Sequence, residues 1–335
     1  MRLLILGGTQ FLGRAVARLA RAQGHDVTCA ARGVSGAPVP GVRFVAVDRD
    51  DPAGLAPLDG DRFDAVIDVT RRLDHARHAV AALADRVDHV TFVSSISAYA
   101  QPVPVGSAVA DTPLLPPAPA DVLAPGPDFE HYGELKVSIE QEYAAAFPRL
   151  FVCRAGLIIG PEDPTDRFPY WVRRLAAGGE VLAPAPPDAP VQYVDVDDLA
   201  GWLLNAGATG LTGTYDGIGA PVPRAEALRA VAAGVGVPDA ELTWVDPGFL
   251  QARDVRPWSG ERSLPLWVPD PEWAGFLARD AGPALAAGLV TRPVADTARV
   301  TLAWMRAHPQ DVRQGGLEPA EEAGILREWH AAEIG

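Results

Sequence analysis

The sequence almost lacks lysine: among 335 residues Lys136 stands alone, and 28 arginines supply every other permanent positive charge. Cysteine is nearly as scarce. Cys29 and Cys153 both fall in apolar, strand-like runs, which excludes a disulfide or cysteine-metal framework and predicts buried free thiols in a reducing compartment. Net positive charge is absent as well. A formal charge of −14 excludes nucleic acid and anionic membrane lipid as the main partner, because polyphosphate recognition needs a basic surface. No apolar run approaches the roughly 20 residues of a membrane span, and a strand begins at Met1 with no secretory leader before it, so a cytoplasmic protein is expected. What is plentiful is ordinary for a globular chain: 48% hydrophobic residues, with 32 prolines and 33 glycines promising many turns and long loops.

The lone lysine falls four residues after a tyrosine, in His131-Tyr132-Gly133-Glu134-Leu135-Lys136. On a helix that spacing puts both side chains on one face. A phenol beside an ammonium is a proton-transfer device, since the positive charge favours phenolate. Arginine is a poor substitute, because its planar fork cannot sit under a phenol as a compact ammonium can.

The N-terminal half alternates strand and helix signals. Arg2 to Leu6 is a short apolar run, and Phe11 to Gln23 repeats apolar residues at helical spacing. Strands are predicted at Val27–Ala31, Val42–Val47, Ala65–Val69, Val90–Val93 and Leu150–Ile159, with helices over 74–86 and 129–146. Such alternation implies an α/β fold, a Rossmann-type doubly wound parallel sheet covered on both faces. The pattern predicts a dinucleotide-binding domain over 1–160, its sheet completed by 190–218, and a substrate-binding lobe with C-terminal helices over 161–335. All eight tryptophans lie between Trp171 and Trp329 in that second half, as lobe core or as an aromatic wall on a substrate pocket. Asp197 is expected to cap a helix over Leu199–Ala206. Pro319–Ile334 reads as an amphipathic helix that closes the fold or forms a homodimer contact.

The first strand ends in Gly7-Gly8-Thr9-Gln10-Phe11-Leu12-Gly13. A glycine-rich turn between strand and helix brings backbone N–H groups and a helix N-terminus against a pyrophosphate, so Gly7, Thr9, Gln10, Phe11, Leu12 and Gly13 are candidate cofactor contacts. Gln10 stands where the pattern wants its middle glycine, and its Cβ holds the phosphates further off or demands a shifted loop. After the second strand an NAD site would carry an acid for the adenosine ribose, whereas this chain has Ala30-Ala31-Arg32-Gly33; Arg32 suits a 2′-phosphate and favours NADP(H) over NAD(H). Asp48 closes the third strand, as an acceptor for the adenine amino group or as a surface acid. Val90 to Ser97 ends a buried strand in hydroxyl residues, which places serines in the crevice where ligands bind.

Taken together, the glycine turn, Ser95-x-x-x-Tyr99 and Tyr132-x-x-x-Lys136 occur in one order, and with them the chain resembles an extended or atypical short-chain dehydrogenase/reductase of the NAD-dependent epimerase/dehydratase type. The likeness covers about residues 1–205. The resemblance implies that Tyr132 is the general acid/base, that Lys136 binds the nicotinamide ribose and lowers the phenol pKa, and that Ser95, with Ser97 as fallback, orients a carbonyl; no metal is required. Two departures stand out. Leu157, in Arg154-Ala155-Gly156-Leu157, replaces an asparagine that many nucleotide-sugar enzymes carry, and the loop Val69-Thr70-Arg71-Arg72, where Thr70 should meet the cofactor, lacks the usual small residues. Arg167, Tyr170 and Tyr193 are candidate contacts for a small-molecule substrate. Three activities fit: NADP(H)-dependent reduction or oxidation of a carbonyl or secondary alcohol, a redox-neutral epimerase or dehydratase cycle with retained NAD, and a non-catalytic NADP sensor, which would have no use for the activated phenol. The arginine-for-lysine bias points to a GC-rich genome and hence to natural-product metabolism.

Overall fold

The computed structural model describes residues 1–312 and 315–334. Seven parallel strands form one sheet in the order β11-β6-β5-β4-β1-β2-β3: β1 (Arg2–Leu6), β2 (Asp26–Ala31), β3 (Arg43–Ala46), β4 (Phe63–Asp68), β5 (Val87–Ser95), β6 (Leu150–Ala155) and β11 (Gly213–Gly217). Leu3, Leu4 and Ile5 are wholly buried although they point alternately to opposite faces, because helices cover both. On one face α1 (Phe11–Ala22) and α5 (Val196–Thr209) bring Val16, Ala20, Leu199 and Leu203 onto Leu3 and Ile5. On the other, α2 (Leu73–Leu83) and α3 (Tyr132–Ala146) bring Ala76, Leu83, Leu135 and Ile139 onto Leu4 and Leu6. The expected Rossmann-type doubly wound sheet is the fold observed.

Local chemistry moves several expected boundaries. The run Leu150–Ile159 is two strands: the Gly156 N–H makes the last bond to β11, at the Gly217 carbonyl (3.2 Å), and after it β7 (Ile158–Ile159) pairs instead with β10 (Val194–Asp195). Helix α3 begins at Tyr132 rather than 129, because Asp128, Phe129 and His131 all take positive φ, which no helix continues through. The cap of α5 is Asp195, not Asp197: its Oδ1 accepts from the Asp197 N–H at 2.8 Å, while its Oδ2 accepts from the Thr297 hydroxyl at 2.6 Å.

Beyond β7 the lobe is built from α4 (Arg167–Ala176), β8 (Glu180–Pro184), β9 (Pro190–Val191), β12 (Val222–Pro223), α6 (Arg224–Gly234), β13 (Glu241–Val245) and the helices Val294–Ala307 and Pro319–Ile334 around one apolar cluster. Trp171 and Trp267 lie inside it, whereas Trp202 packs edge-on against Phe151 under the sheet at 5.0 Å. No tryptophan lines the main cleft; Trp171, Trp202 and Trp267 are core, whereas Trp273 is exposed. The helix Pro319–Ile334 closes the lobe, burying Ile325, Leu326 and Glu322, and the Glu322 carboxylate meets Arg174 and the Leu182 N–H. No helix among the described residues is long and apolar enough to cross a membrane.

Candidate active site

A cleft of about 910 Å3 runs along the carboxyl ends of the strands, from Arg32 after β2 to Tyr132 on α3. Its floor at β1 is the glycine turn. Gly7 takes φ +101°, and a Cβ on Gly13 would lie 2.2 Å from the Gly7 carbonyl oxygen, so both positions require glycine. Gln10 caps α1 with extended backbone (φ −140°) and offers no side-chain hydrogen bond, which leaves the first N–H groups of α1 aimed into the cleft. Those free donors and the glycine cradle fit a pyrophosphate. Thr9, Gln10, Phe11 and Leu12 line the same wall, with the Gln10 side chain exposed at its mouth.

At the other end, the end of β5 and the first turns of α3 bring Ser95, Tyr132 and Lys136 together. Gly133 permits it: α3 docks so tightly on the turn after β5 that a Cβ there would sit 2.1 Å from the Ser97 carbonyl oxygen. The Ser95 hydroxyl shares the cleft wall with the Tyr132 phenol and accepts from the Ser97 N–H at 3.1 Å. Lys136 is 2% exposed, and its Nζ donates to the Thr70 and Val93 carbonyls, each at 2.7 Å, under the rings of Phe92 (4.8 Å) and Tyr132 (5.7 Å). Burial pushes the Lys136 amine down to about 7, against the pull of the Asp68 charge. Burial likewise raises the Tyr132 phenol, opposed by the Ser95 hydroxyl and by the charges of Arg71 and Arg167. Arg71 and Arg167 thus add positive charge near the phenol, beside the lysine to which the sequence pointed.

Beneath these groups lie two buried polar clusters that the motifs do not reveal. Asp68, at the end of β4, accepts from Arg49 (3.0 and 2.7 Å), the Thr70 N–H (2.8 Å) and the Tyr143 hydroxyl (2.5 Å), fixing the strand end whose Thr70 carbonyl receives Lys136. Behind Ser95, Glu140 holds Ser94 and Arg154, while Asp216 takes the Tyr99 hydroxyl (2.8 Å) and Arg279 Nε (2.6 Å), with the Tyr99 ring between the two guanidiniums. Only spatial proximity links these residues, so no spacing in the chain announces them.

The remaining expected site residues divide. Arg32 and Thr70 line the cleft. Asp48 does not: its side chain accepts from the Asp50 N–H at 3.1 Å in the turn after β3. Ser97 sits behind Ser95 rather than on the cleft wall. Arg167 stacks on Trp258 (4.6 Å) beside the cleft-lining Pro164 and Thr165, with its charge felt at Tyr132. Tyr170 is 1% exposed and packs in the lobe core against Trp171, turned away from the cleft by the pitch of α4. Tyr193 packs against the same core, and burial raises its phenol to about 12. Phe129, stacked edge-on against Tyr132 at 5.7 Å and covered by Arg71, is a cleft residue that sequence reasoning missed.

A dinucleotide-type turn at one end of a cleft and a serine-tyrosine-lysine cluster at the other define the short-chain dehydrogenase/reductase class. Within it, the chain belongs to the NAD dependent epimerase/dehydratase family, whose model matches residues 3–214. It is similar to 2′-dehydrokanamycin reductase of Streptomyces kanamyceticus, 33% identical over 63% of this chain and 56% of that protein, so the match spans little more than half the relative's length. It is also similar to dTDP-6-deoxy-L-talose 4-dehydrogenase (NAD(P)(+)) of Kitasatospora kifunensis, 27% identical over 78% of this chain and 92% of that one. Among solved structures, the NAD complex of Thermus thermophilus UDP-glucose 4-epimerase shares the fold, with a TM-score of 0.63 at 21% identity, covering 91% of this chain and 99% of the other.

Proposed function

We propose that this chain is an oxidoreductase that prefers NADP(H) and interconverts a carbonyl and a secondary alcohol on a small, sugar-like metabolite of natural-product biosynthesis. The observation that carries the reading is the Ser95-Tyr132-Lys136 cluster at the end of a cleft whose opposite end presents Arg32. When bound, the nicotinamide cofactor supplies or receives the hydride; the glycine turn, the α1 N-terminus and Arg32 would hold its phosphates, and Lys136 its nicotinamide ribose. Ser95 Oγ and Tyr132 Oη grip the substrate oxygen, and Tyr132 Oη gives up its proton in reduction or takes one in oxidation. Arg71 and Arg167 stabilise the phenolate that results. The buried clusters under Thr70 and Ser95 keep these atoms in place, so little reorganisation is needed during turnover.

The names of these two relatives, a 2′-dehydrokanamycin reductase and a dTDP-6-deoxy-L-talose 4-dehydrogenase, support net redox chemistry on a sugar-like substrate. Gln10, at the mouth of the pyrophosphate wall, supports a cofactor that exchanges every turnover. Protein purified without added cofactor is expected to be largely free of nicotinamide and to consume NADPH stoichiometrically with a 2-, 3- or 4-oxo aminosugar or deoxysugar. Stoichiometric bound NAD+, with isomerised product and no net absorbance change at about 340 nm, would establish the redox-neutral cycle instead. For cofactor choice, Arg32→Ala is expected to cost about 1.5–3 kcal/mol of NADPH affinity, the scale of a charge-assisted contact, with a much smaller effect on NADH.

A further inference from the structure

We infer that the substrate carries a carboxylate near its reacting carbonyl and that Arg71 receives it, so that among sugar-like compounds the cleft is built for an oxo sugar acid. The inference rests on the oxidoreductase reading above and narrows its substrate class. It sets acidic sugars above amino sugars.

The cations that line the cleft are Arg32, Arg49, Arg71, Arg72 and Lys136, against one lining acid among the described residues, Asp128. The fold already engages all but one of these cations. Arg49 pairs with the buried Asp68 at 2.7 Å, Arg72 is held in a fork by Asp74 at 3.0 and 2.5 Å, and Arg32 faces Asp50 at 3.7 Å. Lys136 gives its protons to the Thr70 and Val93 carbonyls. Arg71 is exposed, its guanidinium rests over the Phe129 ring at 5.9 Å, and among the described residues it makes no ion pair and no hydrogen bond, Asp128 included. The chain has 43 acids for 29 lysines and arginines, so acids to pair with it are not in short supply. A fork of donors left open in a cleft wall is suited to an incoming oxyanion.

The place of Arg71 points to the substrate. Thr70, just before it, gives its carbonyl to Lys136, and Phe129, beneath it, meets Tyr132 edge-on at 5.7 Å. Its charge is accordingly felt at both Tyr132 and Lys136, whereas the pyrophosphate has its own cradle at the glycine turn. Arg167, from the start of α4, adds to the same field: it stacks on Trp258 at 4.6 Å, its charge also reaches Tyr132, and its buried Nε has no acceptor. The acid whose charge it feels is Asp163, but Asp163 Oδ1 is taken by the Thr165 N–H (2.8 Å) and hydroxyl (2.7 Å), and burial raises that carboxyl toward its neutral form. With the carbonyl oxygen at Ser95 and Tyr132, a carboxylate on a nearby carbon would meet the Arg71 fork, while an ammonium in the same position would be repelled.

The test is calorimetric binding of D-glucuronate, its uncharged methyl ester and D-glucosamine to the NADP+-saturated protein, for wild type, Arg71→Met and Arg71→Lys, with NADPH affinity measured in parallel. Wild type should prefer D-glucuronate to the ester by about five- to tenfold and to D-glucosamine by more, and added salt should shrink both preferences. Arg71→Met should bring the acid-to-ester ratio within about twofold, and Arg71→Lys should keep part of it, because the charge remains without the fork. NADPH affinity should change less than about twofold in either variant. Equal binding of acid and ester by wild type, no binding of either, or a preference that survives Arg71→Met overturns the inference. A loss of NADPH affinity as large as the loss for D-glucuronate would put Arg71 on a cofactor phosphate and overturn it too. If NADPH is consumed with a neutral oxo sugar and no acid preference exists, the oxidoreductase reading stands and the inference falls; if no dinucleotide binds, that reading falls, and the same three ligands on cofactor-free protein still decide the anion site.

Discussion

At the Tyr132 end of the cleft, Lys136 is 2% exposed and bonded to two carbonyls, and the nearby Asp216–Arg279 pair is 1% exposed on both sides. At the Arg32 end, Arg32 and Asp50 stand half in solvent, 3.7 Å apart. Lys136 and Arg32 line the same cavity, but the charges around them are arranged differently. At the Tyr132 end, the charged groups are locked by buried partners, which costs desolvation and gains a fixed geometry. At the Arg32 end, the groups are loosely paired in water, where each contact is weak and easily exchanged.

Substitutions that strand a charge should separate the two ends most sharply. Asp216→Ala leaves Arg279 buried without its counter-ion, and a loss of about 3–5 kcal/mol is expected in urea denaturation. Asp50→Ala should show no measurable loss in the same experiment, and comparable losses at both sites would erase the distinction. The next effect is catalytic. Tyr132→Phe keeps the ring but removes the transferable proton, so turnover should fall about 100-fold or more with NADPH affinity little changed. Lys136→Arg should be damaging too, because a fork cannot occupy the space between the Thr70 and Val93 carbonyls; near-normal turnover in either variant would remove the assignment.

A smaller effect is expected in the pH dependence of stability. The folded-state pKa of Lys136, about 7, lies below its ordinary value, so above pH 7 the folded chain releases a proton that the unfolded chain keeps. Stability from this group therefore rises with pH, by about 1–2 kcal/mol between pH 7 and 8.5, and Lys136→Met should flatten that slope. An identical slope in the variant would show that Lys136 keeps its charge when buried. The smallest change belongs to Asp48→Ala, at less than about 0.5 kcal/mol, because its carboxylate holds only one turn N–H at the exposed end.

What could be read from the sequence followed the same division. Tyr132, Lys136 and Ser95 were legible because a helical spacing and a strand end fix them locally. The Arg32–Asp50–Arg72–His75 cluster was not, for it forms only once the sheet order sets β2 beside β3 and brings α2 over both. Arg167 and Tyr170 show a different limit. They are three residues apart on one helix, yet one stands beside the cleft and the other fills the core, and this phase depends on where α4 begins, at an Asp166 held at positive φ. Asp195 took the cap expected of Asp197 for a like reason: three acids crowd that junction, and only the strand pairing of β10 decides which one precedes the helix.

The edge strand β11 and the helix α5 come from beyond residue 190, yet they pair with β6 and cover Leu3 and Ile5. The polypeptide therefore leaves its first half, builds part of the lobe, and returns to finish what it began. A fragment ending near residue 160 would expose the hydrogen-bonding edge of β6 and a stripe of leucine and valine, the template on which chains aggregate. Ribosomal synthesis must carry past residue 217 before the sheet can close, so cotranslational folding of the cofactor half is expected to wait for the lobe to emerge. Grafting a foreign lobe onto residues 1–160 would fail for the same reason, whereas exchange of loops within 240–315 leaves the sheet whole.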